Sequence, residues 1–588
     1  MRQDRYNFAM NLPIRYRVFA RNPRAHLFKV VLTVAEPDAD GCRVSLPAWI
    51  PGSYMIREFA RHIVRIEAHA GHRPVRLEKL DKHTWLAAPC AGPLTIEYEV
   101  YAWDLSVRAA HLDETHGFFN GTSVFLRVQG SNAARHEIEI MRPAGRAYAA
   151  WRVATSLPRA AATPALGFGA YFAGSYDELI DHPVEMGNFA LGKFSACGVP
   201  HEVVITGRHD CELARLTADL KKMCEAQIRL FHSARATARD VPFDRYVFLV
   251  LAVGDGYGGL EHRASTALIC SRNDLPEAGM KGSTEGYRTF LGLCSHEYFH
   301  AWNVKRIRPA AFAPYDLRRE NYTRLLWAFE GITSYYDDLM LVRAGLSTQT
   351  EYLDTIARAM RNVLCGPGRL KQSVADSSFD AWIKYYRQDE NAPNSIVSYY
   401  AKGALVALCL DLLLRAGTRG QRSLDDVMRL LWREYGARDL GVPEDGIEEA
   451  AYTIGGAALK PKLRVFFRDA VHGTRDLPLA SLLRDAGFKL TIALGSTPSL
   501  GARTASAPDG VRLTHVLDGG GAQTAGLSAG DVVLAVDGIK VTAESVDKLL
   551  ARKGRSASVD VHAFRRDELI RRTVKLGAAE PTVKLQKA

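Results

Sequence analysis

Apolar and polar residues alternate in short runs along the first third of the chain. Residues 28–34 (Phe-Lys-Val-Val-Leu-Thr-Val) and 94–100 (Leu-Thr-Ile-Glu-Tyr-Glu-Val) show the pattern, and clusters of glycine and proline separate such runs. Alternation of this kind is typical of strands with one buried face, and frequent turn residues favour antiparallel neighbours. From about residue 7 to 185 the pattern therefore predicts an antiparallel β-sandwich.

The middle of the chain changes from strands to helices. Strands continue between about residues 200 and 275, most clearly at 246–253, and a glycine-rich stretch follows at 254–259. The stretch lacks the Lys-Ser/Thr pair of a phosphate-binding loop, so we interpret it as a tight turn. From about residue 284 to 475 the apolar spacing is helical, with helices predicted around residues 296 and 330, at 351–363 and from about 399.

The last hundred residues are again strand-like and rich in glycine. The Asp537-Gly538 pair fits a tight hairpin turn. The run at 521–538 (Gly-Ala-Gln-Thr-Ala-Gly-Leu-Ser-Ala-Gly-Asp-Val-Val-Leu-Ala-Val-Asp-Gly) resembles the core of a PDZ domain. Such domains bind an extended peptide by strand addition and hold its terminal carboxylate with backbone N–H groups. Residues 499–502 (Ser-Leu-Gly-Ala) are the candidate carboxylate loop, and an inert, packed PDZ domain is the alternative.

Composition indicates an ordinary globular protein of several domains. The 588 residues are 47% hydrophobic and 24% charged, and the net charge of +11 is dispersed rather than clustered, which argues against nucleic acid as a partner. Nine scattered cysteines without CxxC spacing indicate reduced thiols. We see no signal peptide at the N-terminus and no apolar run long enough to span a membrane, so a cytoplasmic location without membrane association is expected.

The strongest chemical signal is the HExxH motif of residues 296–300. On a helix, His296 and His300 lie four residues apart on one face and can hold one Zn²⁺. The metal lowers the pKa of a water molecule and polarises a carbonyl, while Glu297 removes the proton. The short basic cluster that follows, residues 305–308, is expected to help position a substrate carboxylate. Cys294, two residues before the first ligand, is expected to be a small buried side chain.

A catalytic zinc site needs a third protein ligand, and two carboxylates compete for this role. Glu320 lies twenty residues beyond His300, flanked by arginines and an asparagine, where it is comfortable in solvent. Glu330 lies in the middle of a mostly apolar predicted helix, where a carboxylate is costly unless it is paired or binds a metal. This burial argument favours Glu330.

Three further segments carry a resemblance to a known family. Residues 327–331 (Trp-Ala-Phe-Glu-Gly) resemble the ligand segment of aminopeptidase N enzymes, residues 258–262 (Gly-Gly-Leu-Glu-His) their Gly-x-Met-Glu-Asn strand, and residues 400–403 (Tyr-Ala-Lys-Gly) their Tyr-x-Lys-Gly segment. The longer gap between His300 and Glu330, the His262 in place of asparagine, residues 51–54 (Pro-Gly-Ser-Tyr) and the PDZ-like end resemble a narrower relative. That relative is the glycyl aminopeptidase family of PDZ-bearing gluzincins.

The resemblance implies an α+β multidomain protein: an N-terminal β-sandwich (1–187), a thermolysin-like, mostly helical zinc peptidase domain (188–480) and a PDZ-like domain (481–588). It also implies an aminopeptidase with one Zn²⁺ per chain, peptide substrates and a preference for glycine or alanine as first residue. Glu261 would hold the free amino group, beside Gly258 and Gly259, which let the strand run close to substrate, and Tyr400 would stabilise the oxyanion. The alternatives are a PDZ-centred scaffold protein and an endopeptidase on the same fold.

Overall fold

The computed structural model describes residues 13–588. The N-terminal residues in which no signal peptide was seen therefore lie outside the described part. The chain divides into two compact units. The first runs to Asn321 and includes Arg343–Leu346; the second comprises Tyr322–Val342 and Ser347–Ala588. Strands dominate the start of the first unit, helices most of the second, and strands its end, which makes the protein a multidomain α+β protein.

The beginning of the first unit is rich in strands, as the alternation of apolar and polar residues predicts. In Leu27–Val34 and Leu94–Tyr101 every second side chain is buried, as a strand with one core face requires. The largest sheet has seven strands, in the spatial order Gly169–Ala173, His136–Met141, Ile14–Asn22, Leu27–Val34, Leu94–Tyr101, Ile63–Ala70 and Arg73–Val75. The prediction of a wholly antiparallel arrangement was wrong at one pair, because Ile14–Asn22 and His136–Met141 run parallel. Parallel neighbours need a long connection, which a local pattern does not reveal.

Two four-stranded sheets and a short helix complete this β-rich part. One sheet has the order Arg152–Thr155, Val184–Gly187, His116–Phe119 and Ala110–Leu112. The other has the order Arg127–Val128, Cys42–Ser45, Thr84–Ala87 and Leu77–Lys79. The helix Tyr176–Ile180 begins at Ser175, whose side chain accepts a hydrogen bond from the Glu178 N–H and so caps the helix.

A five-stranded mixed sheet follows in the first unit and positions the strand that contains Glu261. Its order is Phe189–Ala196, Val199–Thr206, Tyr246–Val253, Ser265–Ser271 and Tyr257–Glu261. The strand predicted at 246–253 is confirmed, and the glycine-rich turn after it leads into Tyr257–Glu261, the edge strand. This part of the chain also contains the helices Leu213–Phe231 and Glu285–Phe299 and the two-residue strand Arg308–Pro309.

The helices of the second unit lie mainly between residues 326 and 485. Their bounds are Leu326–Phe329, Gly331–Arg343, Gln349–Leu364, Val374–Phe379, Ala392–Ser395, Ala401–Gly417, Leu424–Glu434, Gly446–Ala470 and Leu479–Asp485. The helix predicted at 351–363 is confirmed, and a capping box between Thr348 and Glu351 starts it. The helix expected from about residue 399 begins at Ala401.

The end of the second unit is built from antiparallel strands and two short helices. The strands are Phe488–Ser499, Ala502–Ala507, Gly510–Val516, Val532–Val536, Ile539–Lys540, Ser558–Arg565, Glu568–Lys575 and Gly577–Lys587. The two-residue strand Gly441–Val442 lies earlier, among the helices. The short helices are Gly521–Thr524 and Val546–Ala551. Aliphatic side chains such as Leu513, Val533 and Val561 form a separate core here. The predicted tight turn at Asp537-Gly538 joins Val532–Val536 to Ile539–Lys540.

All nine cysteines fall within residues 13–588 and are free thiols, and Cys294 is buried, as expected. Burial raises the pKa of the Cys294 thiol. In the described part of the chain, no helix is both long and apolar enough to cross a membrane.

Candidate active site

The HExxH motif lies at the end of the helix Glu285–Phe299. The Thr284 side chain accepts a hydrogen bond from the Tyr287 N–H and fixes the beginning of this helix. Its last turn brings the His296 and His300 rings together, with centroids 4.7 Å apart and planes at 85°. His300 still has helical backbone angles, although the helix formally ends at Phe299. The spacing predicted from the sequence thus places both imidazoles on one helix face.

A hydrogen bond to the backbone determines which ring nitrogen of His300 is available to bind a metal ion. The Nδ1 atom lies 2.8 Å from the carbonyl oxygen of Asn303, and both residues are buried. A carbonyl only accepts hydrogen bonds, so Nδ1 carries the proton and Nε2 keeps its lone pair. This is the arrangement that orients metal-binding imidazoles in proteins.

Glu297 lies against the glycines of the edge strand Tyr257–Glu261. It is 5% exposed, and a Cβ atom at position 259 would overlap its carboxylate. Gly259 is therefore required by the close approach of Glu297, whereas a Cβ at Gly258 would make only an ordinary contact with Ile269, at 3.5 Å. The Gly259 carbonyl oxygen accepts a hydrogen bond from Arg108 Nη2 at 3.3 Å, which fixes the strand.

Glu261 ends the same strand and is 4% exposed. Its Oε1 atom has no hydrogen-bond partner among residues 13–588. The segment 51–54 packs against the Glu261 carboxylate, since a Cβ atom at Gly52 would lie 2.5 Å from Glu261 Oε2. One ligand atom each of Glu261, Glu297 and His300 lies within 4.8 Å of the other two. Two buried carboxylates this close repel each other, and a nearby positive charge would reduce the cost of burying them.

A buried ion-pair network supports this site, and sequence reasoning missed it. Asp181 Oδ1 lies 2.5 Å from Lys305 Nζ and 3.4 Å from His262 Nδ1. Burial alone would raise the pKa of Asp181, but Lys305 and His262 hold it well below its usual range. Burial would lower the pKa of Lys305, and the charge of Asp181 raises it. No signal near Asp181 in the sequence could have indicated this role, because its partners lie far along the chain.

The prediction that the basic cluster 305–308 positions a substrate carboxylate was wrong for its first two members. Lys305 is buried and is bonded to Asp181. The Arg306 guanidinium donates hydrogen bonds to the carbonyl oxygens of Arg263, Ala301 and Pro242. Both cations are held by internal partners and are not available to a substrate carboxylate.

The remaining predicted residues belong to the second unit. Glu330 is 2% exposed and lies at the junction of Leu326–Phe329 and Gly331–Arg343, rather than in mid-helix. Backbone hydrogen bonds continue through it, since Glu330 N donates to Leu326 O and Ser334 N donates to Glu330 O, both at 2.8 Å. By contrast, Glu320 lies outside any helix or strand and is partly exposed.

Tyr400 directly precedes the helix Ala401–Gly417 and is partly buried. Its hydroxyl oxygen lies 3.4 Å from that of Tyr386, and its ring stacks on those of Tyr385 and Tyr399. Tyr399 is fully buried, and its pKa is raised by burial and then by the charges of Tyr386 and Glu330.

Two glycines explain why the Glu330 and Tyr400 segments lie close together within this unit. A Cβ atom at Gly331 would lie 2.5 Å from the Cα atom of Gly403, so the backbones are in direct contact. The glycines of the Trp-x-x-Glu-Gly and Tyr-x-Lys-Gly segments are therefore required by packing.

Comparisons with known proteins show the family of this chain. The family model of the peptidase M61 N-terminal domain matches residues 15–188, and that of the M61 glycyl aminopeptidase matches residues 289–406. A solved structure of an aminopeptidase N family protein from Idiomarina loihiensis is 40% identical, with 98% of each chain covered and a TM-score of 0.92. No curated protein matches the sequence.

A more distant solved structure shares the fold. The M1 zinc metallopeptidase from Deinococcus radiodurans is 13% identical, with a TM-score of 0.50 over 79% of this chain and 95% of that one. The family models and the 40% identical relative define the class of protein, a metallo-aminopeptidase that hydrolyses peptide bonds. The chain belongs to the M61 glycyl aminopeptidase family.

Proposed function

We propose that the protein is a zinc-dependent aminopeptidase that hydrolyses the N-terminal bond of peptides, with Glu297 as general base. The observation that carries this proposal is the buried Oε1 atom of Glu261, which has no hydrogen-bond partner in the described part of the chain. The family's description as glycyl aminopeptidases supports peptides beginning with glycine as substrates, and we propose alanine as the other favoured first residue.

We propose that His296, His300 and Glu330 hold one zinc ion. The Nδ1 atom of His300 is bonded to Asn303, which leaves Nε2 for a metal, and the burial of Glu330 in an apolar segment favours a bound cation. Two imidazoles and a carboxylate are a donor set typical of catalytic zinc. When bound, zinc polarises the scissile carbonyl and lowers the pKa of the attacking water.

The chain's own residues supply the proton transfers and the positioning. Glu297 takes a proton from the attacking water and passes it to the leaving amine, which a carboxylate can do because it acts first as base and then as acid. Tyr400 donates a hydrogen bond to the oxyanion that forms at the scissile carbonyl. Gly259 keeps the strand close enough to Glu297 for the strand to line the substrate site.

Glu261 decides between exopeptidase and endopeptidase. A peptide's α-amino group has a reference pKa of about 7.7–8.0 and is largely cationic at neutral pH. Glu261 offers this group a buried carboxylate oxygen whose hydrogen-bonding capacity is unused, beside Glu297 and His300. An ammonium bound there would place the first peptide bond at the HExxH helix and would offset the buried negative charge.

Acetylated and free peptides test this role directly. We expect hydrolysis of peptides that begin with glycine or alanine, and almost none of the same peptides after N-acetylation. Glu261→Ala should raise KM and lower kcat/KM by about 10²-fold or more, the scale of a lost charge-assisted hydrogen bond. The matched control is Glu277→Ala, which removes an exposed carboxylate of the same unit and should leave kcat/KM unchanged.

Two outcomes would replace the proposal by one of its alternatives. Efficient cleavage of acetylated peptides at internal bonds would indicate an endopeptidase. A purified chain that binds peptides but hydrolyses none, with or without added zinc, would indicate a scaffold protein.

Tyr400→Phe tests the oxyanion contact. Removal of the hydroxyl group should lower kcat by about 10²–10³-fold with little change in KM, because the hydrogen bond is made mainly in the transition state. The matched control is Tyr399→Phe, since this neighbouring hydroxyl lies on a fully buried ring and should be dispensable for turnover. Steady-state kinetics on a glycyl reporter substrate measure both, and a Tyr400→Phe enzyme with normal kcat would exclude Tyr400 from the mechanism.

We also propose the domain boundaries 1–187, 188–480 and 481–588, with a PDZ-like third domain. The strand Ala502–Ala507 is at the edge of its sheet, where a peptide strand would add. The Gly501 N–H already donates to Ser499 Oγ at 3.0 Å, so one donor of the carboxylate loop is used internally. Peptide binding here should therefore depend on main-chain hydrogen bonds, and amidation of the peptide's C-terminus should leave its affinity unchanged.

A further inference from the structure

A second group of metal-ligand side chains lies in the first unit, on the hairpin formed by Ala110–Leu112 and His116–Phe119. His111 is opposite Phe118 in this hairpin, so His111, Asp113 and His116 all face the same side. One ligand atom of each lies within 4.8 Å of the other two. None of the three belongs to the HExxH site.

The two oxygen atoms of the Asp113 carboxylate have different partners: one binds the turn and the other lies near His111. Its Oδ1 atom accepts hydrogen bonds from Thr115 N and Oγ1, both at 2.6 Å, and from His116 N at 3.0 Å. These bonds fix the carboxylate so that Oδ2 lies 3.3 Å from His111 Nε2. A charge-assisted N–H···O bond is usually about 2.7–2.9 Å long. Two ligand atoms held at about 2.0–2.2 Å by one tetrahedral zinc are instead about 3.3–3.5 Å apart.

A second carboxylate, that of Glu185, contacts the Nδ1 atom of His116 and orients its ring. Its Nδ1 atom lies 3.1 Å from Glu185 Oε1, which also accepts a hydrogen bond from Thr206 Oγ1 at 3.0 Å. A proton on Nδ1 leaves Nε2 with a lone pair, and such carboxylate–histidine pairs commonly support metal ligands. The His111 and His116 ring centroids are 4.9 Å apart, close to the 4.7 Å between His296 and His300.

The protonation of His111 and Asp113 and the space at the hairpin also suit a metal ion. Although burial opposes it, Glu185 raises the pKa of His116, so an ion bound there displaces a proton. His111 is 4% exposed, and its Nδ1 atom has no hydrogen-bond partner within residues 13–588. Burial, and then the nearby His116, lower the pKa of His111, which favours the neutral imidazole that metals bind. Although burial opposes it, hydrogen bonds from Thr115 and His116 lower the pKa of Asp113 to about 2. A cavity of about 20 Å³ beside both imidazoles has room for one water molecule as a further ligand.

We propose that His111, Asp113 and His116 bind a second divalent transition-metal ion, of the zinc type, that joins the two strands of this hairpin. Nitrogen-rich donor sets with one carboxylate favour zinc and cobalt over calcium or magnesium. The site is independent of the peptidase zinc, and fully loaded protein carries two ions per chain.

The test counts metal in a chain that lacks the HExxH ligands. Full-length His296→Ala/His300→Ala protein is stripped with chelator and titrated with Zn²⁺ or Co²⁺, and bound metal is measured after gel filtration. We expect two zinc ions per wild-type chain and one in this double variant. Adding Asp113→Asn or His116→Ala should weaken the remaining site by at least about 10²-fold, and Glu185→Gln should weaken it by about 10–100-fold. The matched control His72→Ala removes an exposed histidine and should keep the ion.

A second measurement separates metal binding from folding. Asparagine at position 113 can still accept the turn hydrogen bonds, so the melting temperature in chelator should be unchanged while the zinc-induced rise in melting temperature is lost. A His296→Ala/His300→Ala chain that binds no zinc overturns the proposal. So does one that keeps its ion after Asp113→Asn and His116→Ala. Neither result depends on peptidase activity, so failure here is distinct from failure of the proposed function.

Discussion

Glu330→Ala is expected to abolish both zinc retention and peptidase activity, whereas Glu320→Ala should leave both nearly intact. Glu330 is a buried carboxylate on a helical backbone, where its charge is costly without a bound cation. Loss of one of three protein ligands leaves too few to hold zinc at micromolar protein concentration. Glu320 is partly exposed outside any helix or strand, so its removal changes little.

The measurement is the zinc content of each purified variant, together with hydrolysis of a glycyl reporter substrate. Glu330→Gln is the isosteric companion, which removes the charge without leaving a cavity. Melting temperatures in chelator show whether each variant is folded. If Glu320→Ala were the variant that lost zinc, the ligand assignment would be wrong.

Glu297→Gln is expected to keep its zinc but lose about 10²–10⁴-fold in kcat, the usual contribution of a general base. Glutamine has the shape of glutamate and fits beside Gly259, where no Cβ atom restricts it. It cannot accept the proton of the attacking water, so only the chemical step should suffer. KM should change little, because binding of the substrate's amino group depends on Glu261.

Metal analysis and single-turnover kinetics on the same preparation separate these effects. Glu285→Gln, in the first turn of the same helix and exposed, is the matched control and should behave as wild type. A Glu297→Gln enzyme with normal kcat would show that another group acts as base.

Much of the fold could be predicted because its signals are local. The strand Tyr246–Val253, the helix Gln349–Leu364 and the turn at Asp537-Gly538 follow from apolar spacing and turn residues within a few positions. The parallel pairing of Ile14–Asn22 with His136–Met141 did not follow, because it joins segments more than a hundred residues apart. The junction at Glu330 was also hidden, since the apolar pattern continues across it.

The hairpin site shows the same division between local and distant information. His111, Asp113 and His116 lie within six residues, yet the two histidines are five positions apart, which does not place them on one face of a helix. Only the pairing of Ala110–Leu112 with His116–Phe119 brings them to one face. Glu185, which orients His116, comes from another strand of the same sheet.

The sequence by itself determined the spacing of His296 and His300, the position of Glu297 between them and the order of the segments around Glu261, Glu330 and Tyr400. These features depend on helix periodicity and short motifs, which a chain carries locally. Tertiary structure alone decided that Gly52 lines the Glu261 carboxylate, that Gly259 makes room for Glu297, and that Lys305 is neutralised by Asp181. Each of these is a contact between segments far apart in sequence, set by how sheets and helices pack in three dimensions.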